Sequence, residues 1–336
     1  MQAYLRPLVQ TGRARPDGAY ILAEGWAWFT HVERLHRDAS PQIVPAARLP
    51  PEELSPFCSP RPRIAGLTFD APRLMGILNV TPDSFSDGGR HQTVEAAQAT
   101  AKAMAMADVI DVGGESTRPG AKRVSDEEEI DRVAPVIAAI RKISPTCVLS
   151  VDTRKSIVVR AAVKAGADLV NDVSGLTFDP ALGPLCANNN LPICLMHAQG
   201  LPETMQQNPC YQDVVLDVYD FLAAQIAHAE ALGIPRRQII ADPGIGFGKT
   251  LQHNLALLER LSIFHGLGVP VLLGASRKRF IGSLSGEQDA ARRFPGSVGV
   301  ALAATQQGVQ LLRVHDVQET AQAIALWRAA VAGEAP

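Results

Sequence analysis

The 336-residue chain has no C-x-x-C pair, and its five cysteines (Cys58, Cys147, Cys186, Cys194 and Cys210) are an odd number. That pattern argues against a disulfide framework and a zinc cluster, and fits the reducing cytoplasm. No apolar run reaches the roughly 18 residues of a membrane span, so no membrane partner is expected. Residues 1–18 carry Arg and Pro but no apolar core, so no secretory signal is expected. Neither sign of charge dominates. Lys and Arg number 32 against 34 Asp and Glu, a net of −2. That removes the bulk electrostatic case for nucleic acid, and any anion site must be local. Hydrophobic residues at 46% and a mean hydropathy of +0.05 exclude global disorder.

Proline is unevenly spread. Nine of the 24 lie in the first 65 residues. Pro41, Pro45, Pro50, Pro51, Pro56, Pro60 and Pro62 are read as barring helix and central strand. Residues 1–65 are therefore read as a proline-rich N-terminal extension, partly ordered through Tyr20–Leu22, Trp26, Trp28 and Phe29. Its role is not legible. From residue 66 to 333 short apolar runs alternate with Ala-rich stretches. The runs are Leu74–Val80, Val109–Val112, Val148–Val151, Leu169–Val173, Ile193–Met196, Ile239–Ala241, Val271–Gly274 and Leu311–Val314. Helices are predicted near 94–106, 126–142, 156–165, 180–188, 214–232, 251–262, 289–308 and 317–331. Eight such units in about 265 residues match an α/β fold of the (β/α)8, or TIM, barrel type. An open doubly wound sheet is the alternative, but its glycine fingerprint is missing after Leu74–Val80.

Each run ends in polar residues: Asn79, Glu115 with Arg118, Asp152, Asn171 with Asp172, His197, Asp242, Ser276 with Lys278, and Arg313 with His315. In a barrel all of these surround one mouth. Any one of them could equally be a helix cap. Two motif readings fail. Gly248-Lys249-Thr250 lacks the earlier glycine of a phosphate-binding loop, since position 243 is proline. Gly274–Lys278 lacks the second glycine of a nucleophile elbow.

Seven strings, in order, carry a resemblance. They are Met75–Gly89 (MGILNVTPDSFSDGG), Asp111–Gly120 (DVGGESTRPG), Ser150–Thr153 (SVDT), Asn171–Gly175 (NDVSG), Asp242–Thr250 (DPGIGFGKT), Gly274–Lys278 (GASRK) and Arg313–Val317 (RVHDV). Together they resemble the dihydropteroate synthase family over about residues 70–320. Two small departures are Ala198, where Met is usual, and Met106-Ala107-Asp108, where Gly-Ala-Asp is usual.

The resemblance implies condensation of 6-hydroxymethyl-7,8-dihydropterin diphosphate with 4-aminobenzoate in folate synthesis, in an enzyme that is a sulfonamide target. It assigns the pterin edge to Asp242, Asp152 and Asn171, with Lys278 donating to its carbonyl side. A carboxylate suits an edge that offers two parallel N–H groups. Met196 and Phe247 would form an apolar shelf. Arg313 and His315 would clamp the diphosphate, with Thr117 and Arg118 reaching the same region. Arg118, Lys278, Arg313 and His315 are thus the expected catalytic groups. Asn79 would give Mg²⁺ one oxygen, the rest coming from water and diphosphate. Ser276 would take the benzoate carboxylate, and Phe85, Pro119 and Phe247 would line its slot. The expected partners are small molecules and a second copy of the chain, without nucleic acid or membrane. A pterin-dependent corrinoid methyltransferase would share Asp152, Asn171 and Asp242, but has no use for a diphosphate clamp. A non-catalytic binding barrel is the other rival, and the intact set of residues argues against it.

Overall fold

The computed structural model describes residues 3–80, 90–116, 123–200 and 204–333, with the side chains of 90–93 left aside. The first 58 residues form strands β1 (Tyr4–Pro7), β2 (Gln10–Thr11), β3 (Tyr20–Ile21), β4 (Ala27–Phe29), β5 (His31–His36) and β6 (Ala39–Pro45), then helix α1 (Pro51–Cys58). They make two three-stranded sheets, ordered β1-β5-β6 and β2-β4-β3. The expectation that the prolines bar helix is corrected here. Pro51 opens α1, where its missing N–H has no helical partner to lose, and Pro56 forgoes one bond in a helix of 8 residues. Pro41 and Pro45 lie in β6, an edge strand, where proline is tolerated.

The barrel follows. Its strands are β7 (Arg73–Asn79), β8 (Val109–Gly113), β9 (Val148–Asp152), β10 (Leu169–Asp172), β11 (Ile193–Met196), β12 (Ile239–Asp242), β13 (Leu272–Leu273) and β14 (Leu311–Val314). The sheet runs β12-β11-β10-β9-β8-β7-β14-β13, all neighbours parallel. A parallel bridge between Ala241 and Val271 joins β12 to β13 and closes it. The barrel expectation therefore holds.

The helices are α2 (Arg90–Ala103), α3 (Asp126–Ile143), α4 (Ser156–Ala165), α5 (Leu182–Asn188), α6 (Val214–Ala231), α7 (Leu251–Glu259), α8 (Arg279–Ser285), α9 (Phe294–Gln306) and α10 (Val317–Ala332). Local chemistry explains their ends. Ser125 accepts from Glu128 N–H to open α3, whose first turn is acidic and last turn basic. The stretch read as a helix over 289–308 is divided, with a 3₁₀ turn at Ala290–Arg293 and α9 starting beside Pro295. Proline fits that first turn and would break a helix interior. Helix α8 was not expected at all.

Inside the barrel, Met75, Val109, Val148, Leu169, Cys194, Ile240, Leu272 and Leu311 form one buried layer, one residue per strand. Ile64, Leu67 and Phe69 plug it from below. The boundary drawn at residue 65 falls inside this plug.

Candidate active site

Side chains along a strand alternate between its two faces, so the next inward layer lies two residues on. Counting from the buried apolar layer gives Ile77, Asp111, Ser150, Asn171, Met196, Asp242, Gly274 and Arg313. Two residues further come Asn79, Asp152, Ser276 and His315. The pattern of the floor thus delivers seven of the thirteen expected site residues, those borne on the strands and their ends, to one mouth.

The polar contacts agree with that count. Arg313 reaches inward, donating from Nε to Asp111 Oδ2 at 2.6 Å and from Nη2 to Asp152 Oδ2 at 2.6 Å. Asn171 Nδ2 donates to the same Asp111 Oδ2 at 2.9 Å. Asp242 Oδ1 accepts from Gly244 N–H at 2.7 Å. Lys278 donates to Ile245 O and lies 4.6 Å over the Phe247 ring. Ser276 Oγ lies 3.0 Å from His315 Nδ1 and accepts from the His315 N–H at 3.2 Å. A methyl group built on Gly113 would lie 3.6 Å from Asp152 Oδ2 and 3.7 Å from Asn79 Oδ1, so both flank that glycine. Buried Asp111 Oδ1, Ser150 Oγ and Asp152 Oδ1 have no hydrogen-bond partner within the protein. Three buried oxygens without partners are expensive in a finished core, and are what a polar ligand would complete.

Burial sets the electrostatics. It pushes Asp152 up to about 7, with Arg313 pulling the other way. It raises Asp242 against the opposing pull of Lys278. It lowers Lys278 to about 8, while Asp242 supports the charged form. Burial also works against the Arg313 charge, but Asp111 and Asp152 outweigh it and the guanidinium is held more firmly protonated. Burial thus draws Asp152 and Lys278 toward neutrality from opposite sides, a common property of functional sites.

The loop after β12 is fixed from below. Buried Lys249 reaches His197 Nδ1 (2.8 Å), Gly244 O (2.9 Å) and Phe247 O (3.1 Å). Burial and Lys249 lower His197 to about 2, so its neutral ring accepts. Gly244 has φ +67°, and a Cβ there would sit 1.9 Å from His197 O. Only glycine fits that approach. The lysine that looked like part of a phosphate loop thus ties the loop after β12 to the neighbouring strand end. The loop after β13 is tied outward, with Arg277 paired to Asp316 and its N–H donated to Ser297 Oγ at 2.8 Å.

A family model described as pterin binding enzyme matches residues 75–315. The dihydropteroate synthase of Escherichia coli (strain K12) is 48% identical over 260 residues, covering 77% of this chain and 91% of that protein. The chain belongs to the dihydropteroate synthase family. Its reaction is that of the family, a transfer step in folate synthesis. The dihydropteroate synthase of Xanthomonas albilineans solved with 4-aminobenzoic acid has a TM-score of 0.75 and 49% identity, covering 81% of this chain and 98% of that one. The same organism's enzyme in complex with 7,8-dihydropteroate gives 0.72 and 46%, with coverage of 81% and 98%. These solved chains leave about a fifth of this one unmatched.

Of the expected site residues, the structure brings Asn79, Asp152, Asn171, Asp242, Ser276, Phe247, Lys278, Arg313 and His315 to the mouth. Phe85, Thr117, Arg118 and Pro119 lie outside the described residues. Arg313 is engaged by two carboxylates, with Nη1 outside both pairs. Asp111, quoted only as part of a string in the sequence, stands at the centre of the polar contacts. Counting by twos from Val109 would have found it. Among the described residues no cluster of three or more His, Cys, Asp or Glu side chains could hold a metal, and no helix is long and apolar enough to cross a membrane.

Proposed function

We propose that this mouth binds the pyrimidine edge of 6-hydroxymethyl-7,8-dihydropterin diphosphate and transfers its methylene carbon to the amino nitrogen of 4-aminobenzoate, releasing diphosphate. The observation that carries the residue roles is the pair of buried carboxylates Asp152 and Asp242, with Asn171 and Lys278 around the same space. Asp152 Oδ1 has no protein donor, and Asp242 Oδ2 is left after Gly244 takes Oδ1. Both can accept from the 2-amino and ring N–H groups, while Lys278 donates to the 4-oxo side. Met196 is buried beside them and Phe247 faces Lys278, giving the ring apolar contact.

The C–O bond to diphosphate breaks first in this reading, since the pterin ring delocalises the cation left on its methylene. No protein nucleophile is required, and 4-aminobenzoate then forms the C–N bond and gives up a proton. Arg313 Nη1 and His315 lie on the β14 side of the mouth, where barrels bind phosphate. Charge growing on the diphosphate would be met there, and by Arg118 and Thr117 on family pattern. Ser276, already beside His315, would take the benzoate carboxylate, with Phe85, Pro119 and Phe247 lining that slot.

Asn79 offers one neutral oxygen across Gly113 from Asp152. That suits Mg²⁺, which keeps waters and substrate phosphates as its other ligands. When bound, Mg²⁺ would supply charge neutralisation at the diphosphate. By the same family reading the enzyme is a cytoplasmic homodimer, which sedimentation can check.

The experiment is direct: purified protein, pterin diphosphate, 4-aminobenzoate and Mg²⁺ should give 7,8-dihydropteroate. Calorimetry then tests the ion assignment. Diphosphate should bind better with Mg²⁺ than without, and Asn79→Ala should shrink that difference. An undiminished effect would remove Asn79 as the ligand.

A further inference from the structure

We infer that Asp111 is the positioning residue that sets the hydrogen-bond polarity of the pterin pocket; the inference rests on the pterin reading above. Asp111 is 0% exposed and, by strand pairing, sits two residues before the level at which Asn171 pairs with Asp152. Its Oδ2 takes two donors at once, Asn171 Nδ2 at 2.9 Å and Arg313 Nε at 2.6 Å. An oxygen that takes the Arg313 N–H is acting as an acceptor, and what else it meets must donate. The end of the Asn171 amide that faces it must therefore be the N–H₂ end. That leaves the carbonyl end, Oδ1, as the one available to the space that Asp152 and Asp242 border.

The consequence is chemical. An unconstrained asparagine can present either a donor or an acceptor by rotating its amide, and a pocket built on it would read two patterns. With Asp111 below, Asn171 presents an acceptor only. The same carboxylate holds the Arg313 guanidinium in the plane where its Nη2 meets Asp152. One buried group thus fixes two others directly and Asp152 through Arg313, and the pocket displays acceptors on the Asn171, Asp152 and Asp242 side against the Lys278 donor. A guanine-like edge, with adjacent N–H groups and a carbonyl, matches that display; an edge with ring acceptors in place of N–H does not. Ser150, opposite Asp111 in the sheet register, brings a buried hydroxyl without a protein partner to the same layer.

The test exchanges the two side chains. In Asp111→Asn the lower group can donate as well as accept, so Asn171 is released to rotate. Affinity for 6-hydroxymethylpterin, read by calorimetry, should fall at least tenfold, and the preference for it over a 2,4-diamino analogue should narrow. The double variant Asp111→Asn/Asn171→Asp keeps the net charge. Its carboxylate at 171 presents an acceptor upward and takes a donor from below, while the amide carbonyl at 111 can still accept from Arg313. It should regain at least tenfold over the single variant and recover the preference. A purely structural role for Asp111 would change the melting temperature of both variants without this recovery. Unchanged affinity in a folded Asp111→Asn protein, or a double variant that binds no better than the single one, overturns the inference. If Asp111→Asn does not fold, Asn171→Asp is compared with the double variant; equal affinity in those two also overturns it. Failure of the wild-type protein to bind 6-hydroxymethylpterin would instead overturn the pterin reading itself.

Discussion

Burial pushes the Asp152 carboxyl from 3.8 up to about 7, and the sign of that shift decides how the site responds to pH. Between about pH 4 and 7 the empty fold keeps a proton that the unfolded chain has lost. The empty protein therefore loses stability as pH rises through that window. Pterin binding runs the other way, because a ring N–H needs the ionised carboxylate as its acceptor. Affinity should climb from pH 6 to 7.5, by up to about tenfold per unit below the carboxyl's own value. It should fall again above pH 8, where Lys278, lowered to about 8, gives up its proton. Calorimetry of 6-hydroxymethylpterin from pH 5.5 to 9 should give a bell, with proton release near pH 7 seen as a buffer-dependent heat. A flat profile would refute these roles. Asp242 is tested separately. Asp242→Asn turns an acceptor into a donor facing a ring N–H and should weaken pterin binding by at least about 2 kcal/mol. Unchanged affinity would move the pterin edge elsewhere.

Helix and strand ends show why Lys249 is a stapling group. Its three short contacts join the loop after β12 to the end of β11, two of them buried and the one to Phe247 O partly so. Replacing it by Met leaves His197 Nδ1 and two carbonyls without a donor, each worth about 1–3 kcal/mol when buried. Relief from burying the ammonium offsets part of this, so Lys249→Met should lose about 2 kcal/mol in urea unfolding and weaken pterin binding through the displaced Phe247. A variant as stable as wild type would show that the loop holds itself. This element also marks where sequence reading succeeds and where it stops. The eight barrel strands are legible because each is an apolar run, and Ile193–Met196 and Leu311–Val314 match the observed strands to the residue. The mouth is legible because polar residues end those runs. Lys249 is not, because its partners are backbone carbonyls that only the folded loop brings together. Asp111 is hidden in a run that reads as hydrophobic, and its role needs the inward count. Strands β1–β6 are short, 2–7 residues each, and their pairing is set by long-range contacts that no local period announces.

At the scale of the molecule, the N-terminal sheets and the barrel share a core. A unit of about 60 residues buries only about 60% of its surface on its own and is marginal by itself. The extension has one small cluster of its own, built on Leu22, Phe29, Val32, Leu49, Leu54 and Phe57. Tyr4 and Leu35 belong instead to the main core. Tyr4 packs edge-on to Tyr219 at 5.6 Å and donates to Asp220 at 2.9 Å. Arg37 pairs with Asp217 and Asp220, and Trp26 Nε1 donates to Thr305 O at 2.9 Å. Arg61 donates to the carbonyl of His265, beneath the barrel, at 3.0 Å. These anchors spread over α6, the 3₁₀ segment Leu261–Leu267 and the end of α9, so the extension cannot leave without exposing Tyr219 and Phe264. The expectation is a single calorimetric unfolding transition for the whole chain. Tyr4→Ala should lower that one transition by about 3 kcal/mol, as loss of a buried aromatic ring does. Pterin affinity should not change, since none of the anchored residues belongs to the layers that line the mouth. Two separated transitions, or a Tyr4→Ala protein whose main transition stays in place, would show that the extension is an independent unit resting on the barrel.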